Sequence, residues 1–148
     1  MQSKVSQLAP VSKTHPFNNP AAVRGGLPSE ATIRIHDLRL RTYIGFNPEE
    51  QANKQDVVIN VTIRHDVNPG IFDDVVDDAL NYKTITKDVI SLVENGRFLL
   101  LEKLVADVLC ICSSHDAVQT ASVTIEKPHA LRFADSVSLT MDYLKPEK

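Results

Sequence analysis

Four side chains are of types that could do chemistry together: Glu50, Tyr82, Glu102 and Lys127. A carboxylate offers two acceptors to parallel donors, an ammonium stabilises developing negative charge, and a phenol relays a proton. Taken singly, each also has an ordinary reading. Glu102 opens a helical stretch, Leu99-Leu100-Leu101-Glu102-Lys103-Leu104, where the helix dipole alone favours a carboxylate. Lys127 ends a strand, because Pro128 supplies no ladder donor, and strand-end lysines are commonly just solvated. Tyr82, in Asp78-Ala79-Leu80-Asn81-Tyr82, serves equally as a core tyrosine, and Glu50, in Pro48-Glu49-Glu50, as a surface charge. No Gly-rich phosphate loop, Gly-x-Ser-x-Gly or His-Glu-x-x-His occurs. His15, His36, His65, His115 and His129 never fall at His-x-His or i, i+4 spacing, so a metal site would need ligands from distant segments. No metal is expected. Cys110 and Cys112 match neither a redox pair nor half of a zinc motif, and read as two buried reduced thiols.

The elements that must position these groups are legible in the periodicity. Ile33 and Ile35 share one parity and Leu38, Leu40 and Thr42 the other, so a strand with a bulge at His36-Asp37 is expected. After the polar connection Asn47 to Asp56, Val57, Ile59, Val61 and Ile63 alternate as a second strand, which Asn68-Pro69-Gly70 stops. Tyr82, Ile85, Val89, Leu92 and Val93 follow helical spacing up to the stop at Asn95-Gly96. Leu101, Leu104, Val105, Val108, Leu109 and Cys112 predict a second amphipathic helix from about Leu100 to Ser113. Val123 and Ile125, then Val137, Leu139, Met141 and Tyr143, predict two more strands. The order ββααββ implies an α+β domain: a four-stranded antiparallel sheet with both helices on one face. Its two free edges are a liability that pairing with further subunits in a closed ring would remove.

At 148 residues, 43% of them hydrophobic, the chain holds one ordinary domain. Residues 1–30 read as a flexible leader, 31–145 as the folded domain and 146–148 as a tail. The first 29 residues contain no acid and four of the eight prolines. Net charge is −3, and removing the leader's Lys4, Lys13 and Arg24 leaves about −6, which argues against nucleic acid and anionic membranes as partners. No stretch approaches the roughly 20 apolar residues of a membrane span, and the start lacks a secretory apolar segment, so a cytoplasmic location is expected.

Together, five collinear segments resemble the dihydroneopterin aldolase family, and within it the dihydroneopterin triphosphate 2′-epimerase branch. They are Leu38-Arg39-Leu40-Arg41-Thr42-Tyr43-Ile44-Gly45, Lys54 to Ile63, Asp78 to Thr84, Arg97 to Leu104, and Glu126-Lys127-Pro128-His129-Ala130-Leu131-Arg132-Phe133-Ala134-Asp135-Ser136-Val137-Ser138. The resemblance implies the tunnelling fold (T-fold), with subunits pairing their sheets into a tetrameric ring, stacked as an octamer. It also implies a reduced pterin as substrate and a site between subunits. On that resemblance Glu102 anchors the pterin through its 2-amino group and a ring N–H, and backbone at Leu80 and Leu101 satisfies other ring edges. Lys127 handles proton transfer near ring N5, Tyr82 relays a proton at the side-chain hydroxyl or the enol carbon, and Glu50 shapes the same pocket. The reaction implied is retro-aldol cleavage in which the ring accepts the electrons, so no cofactor is expected. Re-addition of the aldehyde through its other face inverts C2′; escape gives 6-hydroxymethyl-7,8-dihydropterin and glycolaldehyde, the aldolase outcome. Asn81-Tyr82-Lys83-Thr84 and His129 to Asp135 look more like the epimerase branch. Lys83, His129 and Arg132, with Lys54, Lys87 and Arg97, are candidates for holding a triphosphate. A non-catalytic pterin-binding module is the remaining alternative.

Overall fold

The computed structural model describes residues 28–147, so nearly all of the expected leader lies outside the described residues. Along the chain run β1 (Glu30–Ile44), the short helix α1 (Pro48–Ala52), β2 (Gln55–Asp66) and two 3-10 turns (Pro69–Asp73 and Val76–Asp78). They are followed by α2 (Tyr82–Glu94), β3 (Arg97–Phe98), α3 (Leu101–Ser113), β4 (Val118–Pro128) and β5 (Ser136–Leu144). The sheet order is β3-β1-β2-β4-β5.

The parity slip in the first strand is real. Burial favours Ala31, Ile33 and Ile35, then switches to Leu38, Leu40, Thr42 and Ile44. Asp37 absorbs the switch with a left-handed φ of 52°. Its N–H donates to Asn60 Oδ1 at 3.0 Å, and Asn60 Nδ2 donates back to Asp37 Oδ1 at 3.2 Å. The four expected strands and two expected helices are present, but the expected four-stranded antiparallel sheet is corrected to a five-stranded one with one parallel pairing. Besides the two 3-10 turns, the structure adds two elements. One is β3, a two-residue strand parallel to the end of β1, with Tyr43 opposite Arg97 and Ile44 opposite Phe98. The other is α1, capped by Asn47 and started by Pro48. Both are too short to carry a period.

Two compact units can be distinguished. The first comprises Asp66–Leu80 with the described part of Met1–Ala31; in it Val67 N–H donates to Ser29 O at 2.9 Å, and Asn68 Oδ1 accepts from Gly70 N–H at 3.0 Å. The second, Thr32–His65 with Asn81–Lys148, holds the larger core. Here β2 and β4 pair antiparallel from Val58 opposite Glu126 to His65 opposite Val118, and β4 pairs β5 from Thr120 opposite Leu144 to Pro128 opposite Ser136. α3 packs on β4 and β5, and α2 lies against α3. The buried stripe of α3 is Leu104, Val105, Val108 and Cys112, and the strand residues Ile59, Ile63, Val123 and Ile125 are fully buried too.

One expectation about the thiols is corrected: Cys112 is buried but Cys110 is exposed. Residues two apart on a helix point to different faces, so only one can join the stripe. Burial pushes the Cys112 thiol up to about 12. Among the described residues no helix is long and apolar enough to cross a membrane.

Leu104 has no exposed surface. Leu104→Ala should therefore destabilise the protein by about 2–5 kcal/mol, whereas Cys110→Ala should stay within about 0.5 kcal/mol. Urea midpoints at unchanged slope check this, and equal midpoints for the two variants would remove the α3 stripe from the core.

Candidate active site

At the end of β1 the chain turns at Gly45, whose φ of +129° is one that side chains rarely adopt. Its N–H donates to Phe98 O at 2.9 Å, continuing the β1–β3 ladder by one bond. Asn47 then caps α1, its Oδ1 accepting from Glu50 N–H at 2.9 Å. This cap turns the Glu50 side chain back over Gly45, where a Cβ would collide with the carboxylate.

The partner of Glu50 arrives from the far end of the sequence. Lys127 Nζ, at the end of β4, donates to Glu50 Oε2 at 2.8 Å. The lysine side chain is 12% exposed and the glutamate 23%, so the pair is largely withdrawn from water. Gln55, at the start of β2, fixes it in place: Nε2 donates to Glu50 Oε2 at 3.1 Å and to Ile44 O at 2.6 Å. The hydrogen bond from Lys127 holds the Glu50 carboxyl below its ordinary range. Gln55, the lysine charge and Asn47 assist, and partial burial opposes them. An ammonium so anchored has a defined position and two remaining N–H donors, as a group handling one proton at one place requires.

Glu102 lies in the first turn of α3, exposed and with no hydrogen bond or ion pair among the described residues. Its link to the pair is through the backbone: Phe98, bonded to Gly45, is followed by Leu99 and Leu100, which lead into α3. Leu101, half-buried, immediately precedes it. Phe46, Leu99 and Leu100, flanking these carboxylates in sequence, are 71%, 58% and 50% exposed, an apolar fringe that a partner surface or a flat ligand would cover.

Tyr82 does not join the pair within one chain. It is the first residue of α2, 51% exposed, and lines a surface groove with Lys83, Thr86, Lys87 and Ile90. Leu80 is buried two residues earlier. Of the other cations, Lys83 is exposed, and Arg132 is exposed with its guanidinium 5.4 Å from the Phe133 ring centre. His129 has a left-handed φ of 65°, its N–H donating to Asp135 O at 3.3 Å. Arg97 stacks 3.8 Å over the Tyr43 ring and donates to Gln51 O at 3.2 Å; Lys54 Nζ donates to Glu94 O at 3.4 Å. Gly45, Asn47 and Gln55, which position Glu50, escape a reading of the sequence for chemistry. Only the Asn47-Pro48-Glu49-Glu50 cap pattern points toward them.

The sequence profile of a family described as dihydroneopterin aldolase matches residues 33–142. The chain is 54% identical over 113 residues to the dihydroneopterin triphosphate 2′-epimerase of Escherichia coli K12, spanning 76% of this chain and 94% of that protein. It is 49% identical over 114 residues to the enzyme of the same name from Pseudomonas aeruginosa, spanning 77% and 93%. Among solved structures, the E. coli dihydroneopterin aldolase in complex with neopterin superposes with a TM-score of 0.71 at 26% identity, covering 76% of this chain and 98% of that one.

Two expectations follow from the ion pair. Glu50→Gln removes the charge but keeps an acceptor, and should cost about 1–3 kcal/mol at neutral pH. Because the folded carboxyl titrates below its free value of 4.5, this contribution is full above that value and is lost as pH falls through the lower folded value. Urea unfolding of both proteins from pH 7 to pH 3 checks it: the gap should be constant at the upper end and close at the lower. A gap that widens on acidification would contradict the pairing. Gly45→Ala, strained at its φ and clashing with a fixed carboxylate, should lower both stability and turnover.

Proposed function

Because the chain belongs to the dihydroneopterin aldolase family, we propose that it inverts C2′ in the side chain of 7,8-dihydroneopterin triphosphate, giving dihydromonapterin triphosphate. The observation that carries this reading is the contrast between two E. coli relatives, 54% identity to the epimerase in sequence against 26% to the aldolase on superposition. The chemistry follows from the substrate. The 2′-hydroxyl gives up its proton as C2′ becomes an aldehyde carbon, and the C1′–C2′ bond breaks. Its electron pair forms a C1′–C6 double bond while ring N5 gains a proton. Addition back to the opposite face of the aldehyde inverts C2′ and restores the ring.

In this reading the Lys127 ammonium, held by Glu50, exchanges the proton at N5, directly or through water, and offsets charge building on the ring. Glu102, free of internal partners, accepts the 2-amino group and the adjacent ring N–H, with backbone at Leu80 and Leu101 serving other ring edges. Tyr82 relays the proton at the side-chain hydroxyl from a neighbouring subunit, since within one chain its groove includes neither Glu50 nor Lys127. That assignment requires a second subunit; the assembly proposed is a cytoplasmic homo-oligomer, with sheets joined into a tetrameric ring and two rings stacked as an octamer. The exposure of Phe46, Leu99 and Leu100 in the single chain supports such an assembly. Aldolase release is the second reading, favoured by the description of the family profile itself.

Product separation after incubation with the triphosphate and with free dihydroneopterin tests the choice. Inversion of the triphosphate is expected; hydroxymethyl pterin and glycolaldehyde from the free alcohol, with no inversion of the triphosphate, would establish the aldolase instead. Lys127→Ala should lower turnover by about 10²–10⁴-fold while pterin binding largely survives. Unchanged turnover would take Lys127 out of the mechanism.

A further inference from the structure

The groove beside Tyr82 has a volume of about 340 Å³ and a mostly apolar lining of Tyr82, Lys83, Thr86, Lys87 and Ile90. All five belong to α2, and Thr86 Oγ1 donates to Tyr82 O, one turn earlier in the same helix, at 2.8 Å. Lys83 and Lys87 are four residues apart in α2, hence on one face with their Cβ atoms about 5–6 Å apart, a spacing that adjacent members of a phosphate chain can bridge. Like charges at this separation repel and weaken a helix unless an anion lies between them. No carboxylate stands three or four residues from either lysine in α2, and neither ammonium has a hydrogen-bond or ion-pair partner among the described residues. Several other cations are engaged: Arg41 with Asp56, Lys103 with Asp107, Lys127 with Glu50, Lys54 with Glu94 O and Arg97 with Gln51 O. Arg34, Arg39 and Arg132 lack such a partner among the described residues but do not line this groove.

We infer that this groove takes the triphosphate tail of the substrate, with Lys83 and Lys87 as its phosphate ligands and the determinants of preference for the phosphorylated pterin. The inference rests on the reading that Tyr82 works at the 2′-hydroxyl. The first phosphate hangs from the neighbouring carbon, C3′, so a tail leaving Tyr82 enters the groove the two lysines flank. Its apolar floor suits the C3′ methylene, and the exposed ammoniums suit the phosphates.

The test uses the assembled protein and inorganic tripolyphosphate as the probe, titrated by calorimetry into wild type, Lys83→Ala, Lys87→Ala and the double variant. Affinity should fall roughly tenfold for each lysine, the effect of one charge-assisted hydrogen bond, and should weaken with added salt. The ratio of kcat/KM for the triphosphate to that for free dihydroneopterin should fall by matching factors, the change residing in KM. Unaltered tripolyphosphate binding in the double variant would overturn the assignment, as would its loss in Arg132→Ala or His129→Ala alone, which would place the tail at the β4–β5 hairpin. A wild type that binds tripolyphosphate through both lysines yet fails to invert the pterin triphosphate would overturn the functional reading and leave the anion groove standing.

Discussion

The ion pair between Glu50 and Lys127 is the contact on which the rest of the site depends. It joins residues 77 positions apart in sequence, and the structure fixes both ends independently. The β2–β4 register sets Lys127 at the end of a long antiparallel ladder. Glu50 is set by the Asn47 cap, the Gln55 amide and the absence of a Cβ at Gly45. A lysine left with an exposed, flexible stem would lose rotamer entropy each time it approached a substrate. Here that cost is met in folding, and the ammonium arrives positioned.

Much of the fold was legible because its main elements obey a period. The i, i+3, i+4, i+7 stripe of α3 is the buried stripe, and the change of parity at His36-Asp37 is the change of buried face in β1. What escaped was set by pairing and capping. Arg97–Phe98 forms a strand only because Tyr43 and Ile44 lie beside it, and α1 exists through its cap and its proline. The Cys110 and Cys112 expectation failed for a plainer reason, since two neighbours on a helix two residues apart cannot both face the core.

Among the candidate residues, sequence resemblance identified Glu50 and Lys127, but only geometry shows that they touch and that Gln55 holds them. Glu102 and Tyr82 are different in kind. Both are exposed side chains at helix starts, satisfied by nothing among the described residues of their own chain. Such groups acquire a role through what binds to them. On the proposed reading, a flat pterin over Glu102 and a neighbouring subunit carrying Tyr82 would account for both with one assembly, and would also cover the exposed Phe46, Leu99 and Leu100.

The most direct measurement is a crystal structure of the assembled protein with neopterin, the oxidised pterin, bound. The account predicts one bicyclic ring touching three groups: the Glu102 carboxylate on its amino edge, the Lys127 ammonium within hydrogen-bond reach of N5, and a Tyr82 phenol from a second subunit at the side-chain hydroxyl. A ring bound by Glu102 with Lys127 opening into a different cavity would contradict it.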